Sequence, residues 1–278
     1  MNRTEDPPDG YRRFAGYPTR ATPGLLSLAL AVLLFACGSP GMPAPARTSL
    51  TVAAAADLAR ALPRIGAAFQ KRTGIGITVV LGSTGLLERQ IENGAPFDVF
   101  MAADDAHVSD AARSGRVLPG SERTYALGIL AIWTRPGGAP MHSIKDLARP
   151  SVSRIAIANP LHAPYGKAAV QALRRAGLWG VTAPKLVYGE NVQQALRYAQ
   201  SGAADAALIA YPLVIGGPGS AVPIPMNLYR PPRQTLCVLK ASRHGPEAMR
   251  FAAFVCGPEG RAILKRFGYV LPQSLGKE

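Results

Sequence analysis

The chain has 278 residues, enough to bury a sizeable core as one large domain or two smaller lobes. At 48% hydrophobic and 17% charged, with 29 Gly and 25 Pro, its composition is that of a loop-rich globular protein and not a disordered one. The formal net charge is +14, with 24 Arg against 7 Lys, but no basic run exceeds two residues and aromatics make up only 7%. That pattern carries no nucleic-acid motif, so a nucleic-acid partner is not expected, while small anions and anionic surfaces remain compatible with it.

Arg12, Arg13 and Arg20 precede an apolar run from Leu25 to Ala36, and the run ends in Leu34-Phe35-Ala36-Cys37-Gly38. A basic region followed by a run of this length is a secretion signal, too short to cross a bilayer as a helix. The Leu-x-Ala-Cys ending resembles a bacterial lipobox, which would make Cys37 the lipidated first residue of the exported protein; the alternative is ordinary cleavage near Ala44-Pro45-Ala46. Residues 1–37 are thus expected as signal peptide. Residues 38–47, rich in Pro and Gly, are expected as a tether that holds the protein at the outer face of the membrane.

Beyond the tether, Leu50 to Ala54 is a short apolar strand, and Asp57 opens a helix with Leu58, Leu62, Ile65 and Phe69 on one face. Gly74 ends it. Ile77 to Leu81 is the second strand, followed at once by Gly82-Ser83-Thr84-Gly85 and a helix over 86–93. Phe97 to Met101 is the third strand, with a short helix over 108–114. Tyr125 to Thr134 forms one longer apolar strand. Arg154 to Ala158 is a strand leading through Asn159-Pro160 and Pro164-Tyr165-Gly166 into a helix over 167–176. A strand over 185–188, a helix from Asn191 to Ser201 and a strand over 206–210 follow. Pro212 to Pro232 is expected to be mostly loop, Thr235 to Lys240 a strand, and 246–267 a helix pair. Strands alternating with helices imply an α/β fold with parallel pairing. Export permits a disulfide between Cys237 and Cys256, but one falls in an expected strand and the other at a helix end, so two buried free thiols are expected ahead of it.

No catalytic apparatus is evident: the four histidines stand at no metal-ligand spacing, and no nucleophile elbow, Walker loop or dinucleotide fingerprint occurs. What recurs is a strand ending in small or hydroxyl residues and passing directly into a helix, at Ala55-Ala56-Asp57, Gly82-Ser83-Thr84-Gly85, Ala163-Pro164-Tyr165-Gly166 and Gly189-Glu190-Asn191-Val192. The first N–H groups of a helix lack intrahelical partners and carry partial positive charge. Several such ends aimed at one point make an anion site without a charged side chain. Each of these residues on its own is equally well a plain helix cap.

The same segments, in the same order, resemble periplasmic molybdate-binding proteins, the ModA-type solute-binding proteins of molybdate ABC transporters. Thr51 to Leu58 matches the opening strand and helix. Gly82 to Gly85 with Arg89-Gln90-Ile91-Glu92-Asn93-Gly94-Ala95-Pro96-Phe97-Asp98-Val99-Phe100 is the most distinctive block. Asn159 to Gly166, Gly189 to Val192 and Gly268-Tyr269-Val270-Leu271-Pro272 complete the set, so the resemblance covers 49–272. It implies a two-lobed type II periplasmic-binding-protein fold, with mostly parallel sheets joined by crossing strands. Lobe 1 would be 48–127 plus 234–278 and lobe 2 would be 128–233. It further implies a monomeric carrier without cofactor or enzymatic activity, whose ligand is molybdate or tungstate and whose partner is a membrane permease. The implied ligand contacts are Ala56, Asp57, Ser83, Thr84, Tyr165, Val192 and, one residue out of register, Tyr211. Relatives carry Ser or Asn where Asp57 stands; its carboxylate is expected to turn aside and cap its own helix while the backbone N–H donates. A receptor for sulfate or phosphate is the alternative on the same fold.

Overall fold

The computed structural model describes residues 48–272, which lie within one compact unit, Pro45–Glu278. The signal, the tether and Cys37 lie outside the described residues.

The first lobe begins with β1 (Ser49–Ala55), a short 3-10 turn and α1 (Ala61–Thr73), then β2 (Gly76–Gly82), α2 (Thr84–Glu92), β3 (Val99–Ala102), α3 (Asp105–Arg113) and β4 (Arg123–Leu127). The chain crosses to the second lobe and forms β5 (Leu130–Thr134), β6 (Ile155–Ala158), α4 (Pro164–Arg175), α5 (Trp179–Thr182), β7 (Leu186–Gly189), α6 (Val192–Ser201), β8 (Ala206–Ala210) and β9 (Ser220–Pro223). It then returns as β10 (Arg233–Val238) with α7 (Gly245–Cys256) and α8 (Pro258–Arg266). The two five-stranded sheets have the orders β2-β1-β3-β10-β4 and β7-β6-β8-β5-β9. In each, four strands run one way and a single strand, β10 or β5, opposes them. Both opposed strands adjoin the crossings.

Period-two alternation explains the first sheet. Leu50, Val52 and Ala54 of β1 face a core with Leu62, Ile65, Phe69 and Phe251, while Ala53 faces the opposite layer with Leu87, Phe100 and Cys237. Helix α1 stops at Gly74, whose φ of 76° is left-handed and whose N–H donates to the Gln70 carbonyl at 2.8 Å. The third cluster fills the second lobe and also takes in Ala55, Ala56 and Ala103 from the first, so the cleft is closed.

Two elements differ from the sequence reading. The apolar run 125–134 is two strands in different sheets: Leu127 pairs with Arg233, and Leu130 pairs with Ala210. The break falls at Gly128, whose N–H donates to the Pro232 carbonyl at 2.8 Å, so the two crossings lie side by side. Apolar periodicity could not register it, because both halves are buried. The stretch expected as loop contains β9, held on β5 through the Ala221–Trp133 and Val222–Ile132 pairs. Cys237 and Cys256 are both free, and Cys237 is buried in β10 with its thiol pushed up to about 12 by burial.

Candidate functional site

The carboxyl ends of β1, β2 and β3 in one lobe meet those of β6 and β7 in the other, and the residues just beyond them enclose a small cavity. Ala55, Ala56, Asp57, Gly82, Ser83, Thr84 and Ala103 line it from the first lobe, and Ala163, Pro164, Tyr165, Asn191 and Val192 from the second. Its empty volume is about 210 Å³. The room left inside for a water-sized group is only about 10 Å³, far below the roughly 300 Å³ or more of organic-ligand pockets, so the space excludes an organic ligand. No Lys, Arg or His is among the lining residues. Among the described residues no cluster of three His, Cys, Asp or Glu could hold a metal cation.

Three helices begin at the cavity wall with Thr84, Pro164 and Val192. Their first-turn N–H groups supply partial positive charge where no cationic side chain stands. Side chains set the local geometry. The Asn191 side-chain Oδ1 caps α6, accepting from the N–H groups of Gln193 at 3.0 Å and Gln194 at 3.1 Å. The Thr84 hydroxyl accepts from the Ala103 N–H at 3.1 Å, which leaves its own proton free to donate. Gly166 is required at the start of α4, because a Cβ there would overlap the Ala158 carbonyl.

The lobes are tied together beside the cavity. The His162 carbonyl accepts from the Gly85 N–H at 2.9 Å and from the Ser83 hydroxyl at 2.6 Å. The Ser83 Oγ also stands 2.7 Å from His162 Nδ1. A hydroxyl has one proton and here it goes to the carbonyl, so the Nδ1–H tautomer donates back to Oγ. Asp57 is fully buried, and it is not a cap: the turn over Ala56–Ala59 has no side-chain capping bond. Its Oδ2 accepts from the Tyr269 hydroxyl at 2.9 Å and the Tyr165 hydroxyl at 3.3 Å. The Gln234 amide donates to the Tyr165 oxygen at 3.4 Å and accepts from the Tyr125 hydroxyl at 3.1 Å. Tyr125 and Gln234 belong to the crossing strands, and a register shift between Gln234 and Thr235 interrupts the ladder of β10 with β4 there. This polar chain therefore runs from the crossing strands to the cavity. Burial, opposed only in part by these hydrogen bonds, pushes the Asp57 carboxyl up to about 7.

The family model for bacterial extracellular solute-binding proteins matches residues 50–270. The chain belongs to that family. The molybdate-binding protein ModA of Rhodobacter capsulatus is 34% identical to this solute-binding protein over 256 residues, covering 91% of this chain and 98% of the relative. The solved periplasmic molybdate-binding protein of Azotobacter vinelandii superposes with a TM-score of 0.77 at 36% identity, over 81% of this chain and 100% of that one. The sulfate-binding protein SubI of Mycobacterium tuberculosis superposes with a TM-score of 0.67 over 81% of this chain and 87% of that one; at 17% identity it is alike in fold alone.

Of the site residues expected from sequence, the cavity brings together Ala56, Asp57, Ser83, Thr84, Tyr165 and Val192. Tyr211 is not among the lining residues. It opens a 3-10 turn with its N–H on the Ile129 carbonyl at 2.9 Å, and its ring lies against Gly268. The tyrosine that reaches Asp57 from that side is Tyr269, next in sequence to Gly268. His162, Tyr269 and Gln234 are the residues sequence reasoning did not select. Tyr269 lay in a recognisable block, but nothing local to His162 or Gln234 announced a partner in another element.

Proposed function

We propose that this solute-binding protein captures molybdate, and tungstate with it, in the interlobe cavity outside the cytoplasm and delivers it to the permease of an ABC importer. The observation that carries the proposal is a small interlobe cavity walled by three helix N-termini and the Thr84 hydroxyl, without a cationic side chain, in a chain 34% identical to a molybdate-binding protein. The N–H groups of Ala56, Asp57 and Val192 and the hydroxyl of Thr84 are the proposed donors. Tyr165 acts mainly through Asp57, and Ser83 by holding the lobes closed. Residues 48–127 with 234–278 would move as one lobe and 128–233 as the other, about the paired crossings at Gly128 and Pro232. Export by the N-terminal signal and lipid attachment at Cys37 complete the picture of a monomer tethered near its permease.

Molybdate and tungstate share charge and shape, so one cavity accepts both. Sulfate is smaller, and its oxygens fall short of donors spaced to meet a larger ion at about 2.9 Å. One observation favours phosphate as a second reading: the buried Asp57 carboxylate could accept a proton from a hydrogen-bearing anion. Thermal melts with molybdate, tungstate, sulfate and phosphate separate these readings. A ligand at a hundred times its Kd stabilises the folded state by about 2.7 kcal/mol. Molybdate and tungstate should therefore raise the Tm by several degrees and sulfate far less; equal shifts with sulfate, or a shift with phosphate alone, would refute the molybdate assignment.

A further inference from the structure

One side-chain atom of a residue lining the cavity has no partner. Asp57 Oδ2 is taken by the hydroxyls of Tyr269 and Tyr165, at 2.9 and 3.3 Å, whereas Oδ1 is buried with no hydrogen-bond partner among the described residues. The groups facing this carboxyl are Tyr269 from the C-terminal segment, its own backbone N–H, Tyr165 from α4, and Gln234 from β10 with Tyr125 of β4 behind it. On its own turn, Arg60 points elsewhere, donating to the Ile215 carbonyl at 2.7 Å and stacking over Phe267. No ion pair of the described residues includes Asp57. An ionised Asp57 would thus set an uncompensated negative charge in the wall of an anion site, in a low-dielectric setting where repulsion is strong.

We propose that Asp57 holds the oxyanion as a carboxylic acid: each dianion enters together with one proton, which sits on Oδ1 and is donated to an anion oxygen. The proposal rests on the oxyanion reading of the cavity given above. The balance is simple. Solvent supplies the proton to the carboxylate, no bond in the anion breaks, and the bound complex carries one negative charge fewer than its separate parts. The two tyrosine hydroxyls fix Oδ2 as the carbonyl oxygen, so the acidic hydrogen is directed to the one atom left without a partner. With burial raising this carboxyl to about 7, the acid form is accessible at neutral pH. An anion alongside raises it further.

Linkage gives the sign. Below the free-state value of about 7 Asp57 is already protonated and binding takes up no proton; above it, uptake approaches one and affinity falls tenfold per pH unit. The test is calorimetric titration of the full chain with sodium molybdate at pH 6.0, 7.0 and 8.5, in buffers of differing ionisation enthalpy. Wild type, Asp57→Asn and Asp57→Ser are compared, each checked for folding by circular dichroism. Wild type should take up close to one proton at pH 8.5 and little at pH 6.0, with Kd rising roughly fifteenfold from pH 7.0 to 8.5. Both variants offer a neutral donor and should bind with no proton uptake and a flat pH dependence; Asp57→Ser serves if the amide fails to fold. Molybdate binding by wild type with no uptake at pH 8.5, or equal uptake in the variants, would overturn the proposal while leaving the molybdate reading intact. Loss of molybdate binding in all three would overturn that reading, and the same titrations with phosphate would then decide the proton count.

Discussion

Replacing Asp57 by Asn should make the ligand-free protein more stable, and increasingly so as pH rises. The folded-state value of about 7 lies above the ordinary 3.8 of an exposed carboxyl, and burial is the dominant cause. Between those values the native state keeps a proton that the unfolded chain gives up, so stability falls with pH; the cost is absent below 3.8 and complete above about 7. At ~1.4 kcal/mol per unit, this interval corresponds to about 4 kcal/mol. Asn keeps an oxygen for the two tyrosines and cannot ionise. The difference between variant and wild type should therefore be near zero at pH 4, grow through pH 5 and 6, and level off near pH 8. For a domain of this size, ~1 kcal/mol moves Tm by ~2–4 °C, so the plateau should be worth roughly ten degrees. Thermal melts of both proteins across pH 4–8.5 without ligand measure it. A difference curve flat in pH would mean that Asp57 ionises normally in the native state, and the reasoning from burial would fail.

Thr84→Ala removes the hydroxyl oriented by the Ala103 N–H and should weaken molybdate binding roughly tenfold or more, as a hydrogen bond to a charged group is worth ~1.5–3 kcal/mol; Thr84→Ser should retain most of the affinity in the same titration. Gly128→Ala places a Cβ where the Tyr165 hydroxyl now lies, and should cost on the order of 1–3 kcal/mol in urea unfolding and weaken binding by displacing a donor to Asp57. An alanine variant with wild-type stability and affinity would mean that Tyr165 can move freely. Cys237, with its thiol pushed up to about 12, should stay unreactive to a thiol reagent at pH 8 until the protein is unfolded in denaturant.

Local pattern made most of the elements legible. A short apolar run placed β1, helical spacing at Leu62, Ile65 and Phe69 placed α1, and glycine at 74 marked its end. The strand-to-helix turns that wall the cavity were also visible, because small residues, hydroxyls and Pro at those junctions are short-range signals. Asn191 shows how far this reaches: its capping of α6 involves only residues two and three positions on. Asp57 is the same type of signal with the opposite outcome. A carboxylate at the start of a helical pattern suggests a cap, yet its actual partners, Tyr165 and Tyr269, lie 108 and 212 residues away. The sequence alone also could not divide the run 125–134, since both halves are apolar and only the pairing of Leu127 with β10 and of Leu130 with β8 assigns them to different sheets. By itself the sequence determined most of the strands and helices and which helix ends could receive an anion, because periodicity and capping act within a few residues. Tertiary structure alone decided the pairing of the crossings at Gly128 and Pro232, the Ser83–His162 tie and the burial of Asp57, because desolvation and hydrogen bonding depend on what the fold carries in from far along the chain.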